Sequence, residues 1–340
     1  MRNKKLWLLP IESLEERYTA QWAQWWPDEM RKLGVDVEVI EGERLTTRIE
    51  TGQFLDVYDT HHYKATQLAA MCKRLYAGDV QAGDVVLLLD AWSPAVTALA
   101  YMRDLGVKFL LAGYLHAGTW DQWDFLAQRG LGRWAAPIET GWMRALDIIL
   151  TGSEFHRELL DETRGCDPSK VTVIGCPIDH AIKEHSASWT TRERVVVFPH
   201  RLAPEKAPEE FAWIQDTYRA RYGEDGTQWV RTHDGHMRSK SDYYRLLGAA
   251  RVVVSCARQE TFGISMVEGA LLGCYPVAPN RLAYPETLGT RGAKLYDDQD
   301  LDSAVELVRA GLIATVPFQY FGYPLSDVIG SAAKALGLIE

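Results

Sequence analysis

Two carboxylates, Glu260 and Glu268, stand eight positions apart around a glycine in the segment Gln259-Glu260-Thr261-Phe262-Gly263-Ile264-Ser265-Met266-Val267-Glu268-Gly269. The apolar run 251–255 ahead of it reads as a buried strand, so the chain leaves a strand, turns at Gly263 and enters a helix near Ile264. A glycine at that turn lets backbone approach a ligand closely. The helix start adds free N–H groups and the positive end of its dipole, and an anion is the natural guest. The spacing puts Glu260 at the helix mouth and Glu268 roughly two turns in, on about the same face, where a carboxylate can bind a vicinal diol. Upstream, Val197-Phe198-Pro199-His200-Arg201-Leu202-Ala203-Pro204-Glu205-Lys206 is a strand followed by a loop with two cations five apart. Arg201 and Lys206 can grip a diphosphate. An isolated Glu pair of this kind is usually a solvated helix residue and a first-turn dipole partner; here the neighbouring segments weigh the other way.

After Glu268 the chain runs Ala270-Leu271-Leu272-Gly273-Cys274-Tyr275-Pro276-Val277 and then Tyr284-Pro285-Glu286. Together these segments resemble the C-terminal domain signature of retaining, nucleotide-sugar-dependent glycosyltransferases of the GT-B fold, in particular family 4. The pattern there is E-x-F-G-x-x-x-x-E, then A-x-x-x-G-x-P-V and P-E. The family's G-R-L-x-x-x-K-G is matched with departures: Pro199-His200 precedes Arg201 and Ala207 follows Lys206, so the cations are kept and the glycines lost. A weaker match covers Ala145-Leu146-Asp147-Ile148-Ile149-Leu150-Thr151-Gly152-Ser153-Glu154 and Val171-Thr172-Val173-Ile174-Gly175-Cys176-Pro177-Ile178-Asp179.

The resemblance implies an α/β protein of two Rossmann-like, doubly wound domains facing across a cleft. It implies a nucleotide-sugar co-substrate, UDP-sugar favoured and GDP-sugar allowed, with no metal. Arg201 and Lys206 would hold the diphosphate with Phe262, Gly263 and Ile264, Glu268 the ribose, and Glu260 would sit by the donor sugar. His116, after the strand at 108–112, would contact that sugar as a further catalytic residue. Trp120, Asp121 and Trp123 just beyond are candidates for an acceptor wall.

The elements that must position these residues follow from alternating short apolar and longer amphipathic runs, the rhythm of βα units and a parallel sheet. Strands are expected at 5–9, 36–40, 84–89, 108–112, 147–150 and 171–174, then at 194–198, 228–232, 251–255, 275–278 and 293–296. The polar stretch 184–191 reads as a linker, which gives an acceptor domain over 1–183, a donor domain over 190–320 and a C-terminal helix in 321–340. In doubly wound sheets ligands bind outside the carboxyl ends of the strands.

A length of 340 residues suits two domains, and 47% apolar with 24% charged residues excludes disorder and fibrous classes. No apolar run approaches the ~20 residues of a membrane span, and the start lacks a signal-peptide core, so a cytoplasmic protein without membrane insertion is expected. The five Cys are scattered without metal-ligand spacing, which points to reduced thiols. Asp298-Gln299-Asp300 lacks the strand setting of a metal-binding D-x-D, and the adjacent His61-His62 cannot share one helix face. Thr232-His233-Asp234-Gly235-His236 could touch a nucleotide base, a turn being the alternative. Most of the 12 Trp are expected in cores.

A net charge of -9 argues against nonspecific coating of nucleic acid but leaves room for a local basic lining from Lys64, Lys73, Arg74, Arg129, Arg133 and Arg144. Where the family opens with a glycine-rich loop, this chain has Leu9-Pro10-Ile11-Glu12-Ser13-Leu14-Glu15-Glu16-Arg17-Tyr18-Thr19-Ala20-Gln21-Trp22. That phrase is similar to the opening of glycosyltransferases encoded by bacteriophages, and implies as acceptor a 5-hydroxymethylpyrimidine such as 5-hydroxymethylcytosine in double-stranded DNA, reached by base flipping. The alternatives are a glycan, lipid, small molecule or tRNA nucleoside as acceptor, and a non-enzymatic nucleotide-sugar binder.

Overall fold

The computed structural model describes residues 4–13, 18–46, 56–233 and 239–340. The chain divides into two compact units, Met1–Pro177 with Leu325–Glu340, and Ile178–Pro324. The first holds strands β1 (Lys5–Leu9), β2 (Asp36–Val39), β3 (Val85–Leu88), β4 (Leu110–Tyr114), β5 (Ile148–Thr151) and β6 (Val171–Val173). They form one parallel sheet in the order β2-β1-β3-β4-β5-β6. The second holds β7 (Val195–Phe198), β8 (Gln228–Arg231), β9 (Val252–Val254) and β10 (Tyr275–Val277), all parallel, in the order β10-β9-β7-β8. Val and Leu fill β3, Val and Phe fill β7, and every residue of both strands is buried, as a parallel sheet covered on both faces demands. Each unit has its own apolar core, one containing Trp7, Leu88, Leu111 and Trp142, the other Val196, Phe211, Val254 and Val308.

Strand order locates the places where a ligand can approach. The chain turns to opposite sides of the sheet between β1 and β3 in the first unit and between β7 and β9 in the second, and such switch points open a crevice at the carboxyl ends of the strands. Arg201 and Lys206 follow β7, and Glu260 to Gly263 follow β9.

Three expectations are corrected. The segment 293–296 is no strand: Tyr296 makes a single parallel bridge to Pro279, because the 3-10 turn Gly289–Arg291 and Gly292 at φ +94° bring the chain to the sheet for one residue only. The stretch 184–191 is no linker, since Ser186 Oγ donates to the Leu272 carbonyl at 3.1 Å and Trp189 Nε1 to that of Ala314 at 3.2 Å, which fastens it to the second unit; the units divide after Pro177. The C-terminal helix Leu325–Ala335 is not a separate element. Its stripe of Val328, Ile329, Ala332 and Ala333 is buried within the first unit, and Lys4 Nζ donates to the Gly337 carbonyl at 3.0 Å.

Candidate functional site

The loop after β7 is tied to the loop after β9 by a lysine. Lys206, 8% exposed, donates from Nζ to Glu260 Oε2 at 3.1 Å and to the Gln259 carbonyl. Glu205 reinforces the joint, its carbonyl accepting the N–H groups of Arg258 at 2.8 Å and Gln259 at 3.3 Å. Arg201 turns to the same loop and gives Nε and Nη2 to Glu205 Oε1. Ala207 adopts φ +50° where the resembling pattern has glycine, so the left-handed turn is kept at a cost of ~1–2 kcal/mol.

Gly263 adopts φ +88° and opens the helix Ile264–Leu271, its carbonyl accepting the N–H groups of Met266 and Val267. A Cβ at Gly263 would lie 2.8 Å from the Tyr284 ring, so the turn needs glycine for conformation and for space. Burial works against the charged form of Glu260, but the Lys206 ammonium and the Gly263 N–H outweigh it and hold the carboxyl below its ordinary range. Arg201, Lys206, Glu260 and Gly263 therefore share one network, with Ile264 beginning the helix, where the N–H groups of Ile264 and Ser265 precede the first intrahelical bonds. Phe262 turns inward: it is 3% exposed and packs edge-on against Tyr323 at 4.7 Å, so it supports the loop from beneath.

Glu268 is 3% exposed and has its own clamp, which the sequence did not reveal. Tyr244 OH donates to Oε1 at 2.8 Å and Lys240 Nζ reaches the same oxygen at 3.2 Å. Both come from the helix Lys240–Ala249, started by Ser239, whose hydroxyl accepts the Asp242 N–H at 3.1 Å. The only sequence signal was the four-residue spacing of Lys240 and Tyr244, which puts them on one helix face.

In the first unit His116 follows β4. Its Nε2 lies 2.7 Å from the Leu89 carbonyl, which can only accept, so this nitrogen carries the proton and Nδ1 accepts from Tyr18 OH at 3.2 Å. Burial keeps the ring neutral by lowering its pKa, with the Asp90 charge acting the other way. The ring also packs on Tyr114 at 4.6 Å and Trp22 at 5.1 Å, two rings that touch each other, and both nitrogens have protein partners.

Of the expected acceptor wall, Trp120 is corrected to a core residue: it is 3% exposed, belongs to the first unit's core and stacks near His156 at 5.9 Å. Asp121 is buried and shapes the turn by accepting the Trp123 N–H at 2.8 Å, while Trp123 keeps an exposed part. Glu139 pins this loop. Buried, it accepts the Thr119 N–H and hydroxyl, both at 2.7 Å, and Trp92 Nε1 and Arg164 Nε, both at 2.9 Å.

Lys64 is no surface charge either. It is buried, with Nζ 2.7 Å from both Asp90 Oδ2 and the Trp92 carbonyl, and Arg74 is tied to Glu38 and Asp79; Lys73, Arg129, Arg133 and Arg144 are exposed. Burial opposes the Asp90 charge, but Lys64 outweighs it and lowers the carboxyl pKa.

In the D-x-D, Asp298 pairs with Arg281 and Asp300 caps the helix Leu301–Ile313. His61 Nδ1 bonds the Val57 carbonyl, and His62 faces Glu43. Among the described residues no group of three or more His, Cys, Asp or Glu is arranged for a metal, and no helix is long and apolar enough to cross a membrane. His233 Nδ1 meets Thr232 Oγ1 at 3.1 Å; Asp234, Gly235 and His236 lie outside the described residues, as do Leu14 to Arg17 of the opening segment. All five cysteines are free thiols.

No protein-family model matches the chain. Among solved structures it is similar to sucrose-phosphate synthase (tll1590) from Thermosynechococcus elongatus, at 12% identity and TM-score 0.65 over 98% of this chain and 94% of that one. It is also similar to Anabaena Alr3699/HepE in complex with UDP, at 13% identity and TM-score 0.59 over 99% and 96%. The fold is GT-B. A curated relative, the tRNA-queuosine alpha-mannosyltransferase of Drosophila melanogaster, is 38% identical over 97 residues, which is 28% of this chain and 23% of that protein. The chain thus matches about a quarter of that relative's length.

Proposed function

We propose that this protein is a nucleotide-sugar-dependent glycosyltransferase acting with retention of configuration, with a UDP-sugar as favoured donor and a GDP-sugar as the alternative. The observation that carries the reading is the junction of Arg201, Lys206, Glu260 and the helix start at Gly263 at the carboxyl ends of β7 and β9. In the transfer a nucleoside diphosphate leaves and an acceptor hydroxyl attacks the anomeric carbon. Negative charge grows on the leaving phosphate, and each preorganised donor aimed at it contributes about 3–4 kcal/mol. Arg201 and Lys206 offset that charge, Arg201 exchanging Glu205 for phosphate as the donor binds. Glu268, oriented by Tyr244 and Lys240, takes the ribose diol. Glu260 lies by the donor sugar, and attack comes from the face of the departing phosphate, which takes the acceptor hydroxyl's proton, without a covalent enzyme intermediate. In the first unit, His116 and Trp123 are the candidates for contacts with sugar and acceptor.

A nucleoside within a nucleic acid is the acceptor class we favour, on the similarity over 97 residues to the tRNA-queuosine alpha-mannosyltransferase. A 5-hydroxymethylpyrimidine in phage DNA belongs to the same class and rests on the opening segment. The test is calorimetric titration with UDP and GDP, then incubation with UDP-glucose, UDP-GlcNAc and GDP-mannose against tRNA containing queuosine, hydroxymethylated DNA and unmodified DNA, read by nucleoside mass spectrometry. A hexose-sized mass gain on one nucleoside supports the reading and names the acceptor. Absence of binding by either diphosphate and of donor turnover refutes the glycosyltransferase assignment. A trapped glycosyl-enzyme refutes the mechanism.

A further inference from the structure

Beside the network just described lies a chain of polar side chains that it does not use. His200 is 5% exposed where the chain leaves β7, its ring edge-on to Phe198 at 5.2 Å. Nε2 lies 2.8 Å from Ser255 Oγ, and Nδ1 makes a longer contact of 3.4 Å with Ser265 Oγ. Ser255 Oγ in turn lies 2.6 Å from Tyr284 OH and accepts the Ala257 N–H at 3.2 Å. Ser255 and Tyr284 are fully buried, and Ser265 is half-buried in the first turn of the helix Ile264–Leu271.

Counting donors sets the direction of the protons. Among the described residues Ser255 is the side-chain partner of Tyr284 OH, so that buried phenol is satisfied as a donor when it gives its proton to Ser255 Oγ. Ser255 then gives its own proton to His200 Nε2, and the neutral imidazole carries its remaining proton on Nδ1, directed at Ser265 Oγ. Neutrality has its own cause: burial, then the Lys206 charge with smaller contributions from His233 and Arg201, pushes the His200 pKa down to about 3 against the pull of Glu260. Ser265 is thus an acceptor on its inner side. Its own proton points away from His200, at the end of the helix where the dipole is positive.

We infer that Ser265 donates this proton to a phosphate oxygen of the bound nucleoside diphosphate, and that His200, ordered through Tyr284 and Ser255, is the positioning residue that holds Ser265 in the donating role. The inference rests on the glycosyltransferase reading and deepens it. It gives a purpose to the histidine that stands where the resembling pattern has glycine.

The test compares the full chain with Ser265→Ala, His200→Asn, His200→Gln and the His200→Gln/Ser265→Ala double variant. Each is titrated with UDP and GDP, with melting temperatures alongside. A hydrogen bond to a charged oxygen makes Ser265→Ala weaken the diphosphate that binds by about tenfold or more. His200→Gln, whose amide reaches Ser255 but not Ser265, is expected to lose as much. His200→Asn, whose amide nitrogen stands in for Nδ1, is expected to retain most of the affinity. In the Ser265→Ala background, His200→Gln should add no further loss. Unchanged affinity in Ser265→Ala, or a His200→Gln loss that persists in full without Ser265, overturns the inference and leaves the glycosyltransferase reading intact. A wild-type chain that binds neither UDP nor GDP overturns both. If the His200 variants fail to fold, Ser265→Ala decides alone by the same criterion.

Discussion

Replacing Lys206 by methionine keeps the stem volume and removes the charge that joins two loops. The ammonium is one half of a pair with Glu260 at 3.1 Å, and the two side chains are 10% and 18% exposed. Removing one partner of a buried pair costs about 3–5 kcal/mol, because the survivor is left charged without compensation. Glu260 retains some solvent and the Gly263 N–H, which places the expected cost nearer about 2–3 kcal/mol at pH 7.5. For a unit of this size that lowers the melting temperature by about 5–10 °C.

The pH dependence is the sharper part. In the wild type the Glu260 pKa lies below its unfolded value, so its stabilising contribution is fully present above about pH 4.3 and fades as pH falls through the folded value. Without Lys206, burial is the dominant influence and the shift reverses. The variant's penalty then exists only while the carboxylate stays charged, and it shrinks as acid protonates Glu260. In the wild type His200, pushed down to about 3, stays neutral across this window. The difference between wild type and Lys206→Met should therefore fall from about 2–3 kcal/mol at pH 7.5 to under about 1 kcal/mol at pH 4. Scanning calorimetry at both pH values, with hydrogen exchange of peptides spanning 252–277 to assign the loss to the second unit, measures it. A difference unchanged by acid, or a neutral-pH cost under about 0.5 kcal/mol, refutes the account of the pair.

Three further outcomes follow from individual contacts. Gly263→Ala forces a Cβ to 2.8 Å from the Tyr284 ring at φ +88°, so a loss of about 2–4 kcal/mol in thermal unfolding and no measurable diphosphate binding by calorimetry are expected. Tyr244→Phe removes one donor from Glu268 Oε1 and should weaken binding of the nucleoside diphosphate about five- to tenfold while costing about 1–2 kcal/mol in stability, as read by calorimetry and urea unfolding. Glu139→Gln leaves Arg164 buried without its counter-charge, and is expected to destabilise the first unit by about 3 kcal/mol and raise hydrogen exchange in the loop 117–124, with diphosphate affinity unchanged.

What could be read in advance divides along physical lines. The central strands were legible because a parallel strand buried on both faces must be a short continuous apolar run, and such runs as Val85–Leu88 and Val195–Phe198 admit few other uses. The turn at Gly263 was legible because only glycine suits a left-handed residue packed against a ring. The failures share a different cause. An amphipathic pattern says that a face is buried but not against what, so Leu325–Ala335 could not be assigned to the first unit from its own residues. Polar composition suggested a linker at 184–191, yet hydrogen bonds from Ser186 and Trp189 to carbonyls far along the chain hold it in the second unit. The position of Trp120 just after β4 suggests a site wall, whereas its ring lies in the first unit's core.

The candidate site shows the same limit and also why it was found. Arg201, Lys206, Glu260 and Glu268 carry charges that must be answered where they are buried, and their spacing around strand ends left few places to put them. The groups that answer them, Tyr244 and Lys240 for Glu268 and Gln259 for Lys206, carry no spacing that ties them to the charges they meet. His200 is the extreme case: a single histidine whose partners Ser255 and Ser265 lie 55 and 65 positions away. Chemistry-bearing residues are visible in one dimension because reactivity restricts residue type. Their supports are visible only in three, because almost any hydrogen-bonding side chain of the right length could serve. A reading of function from sequence therefore reaches the reactive groups first, and orientation, which sets affinity and rate, has to be read from the folded chain.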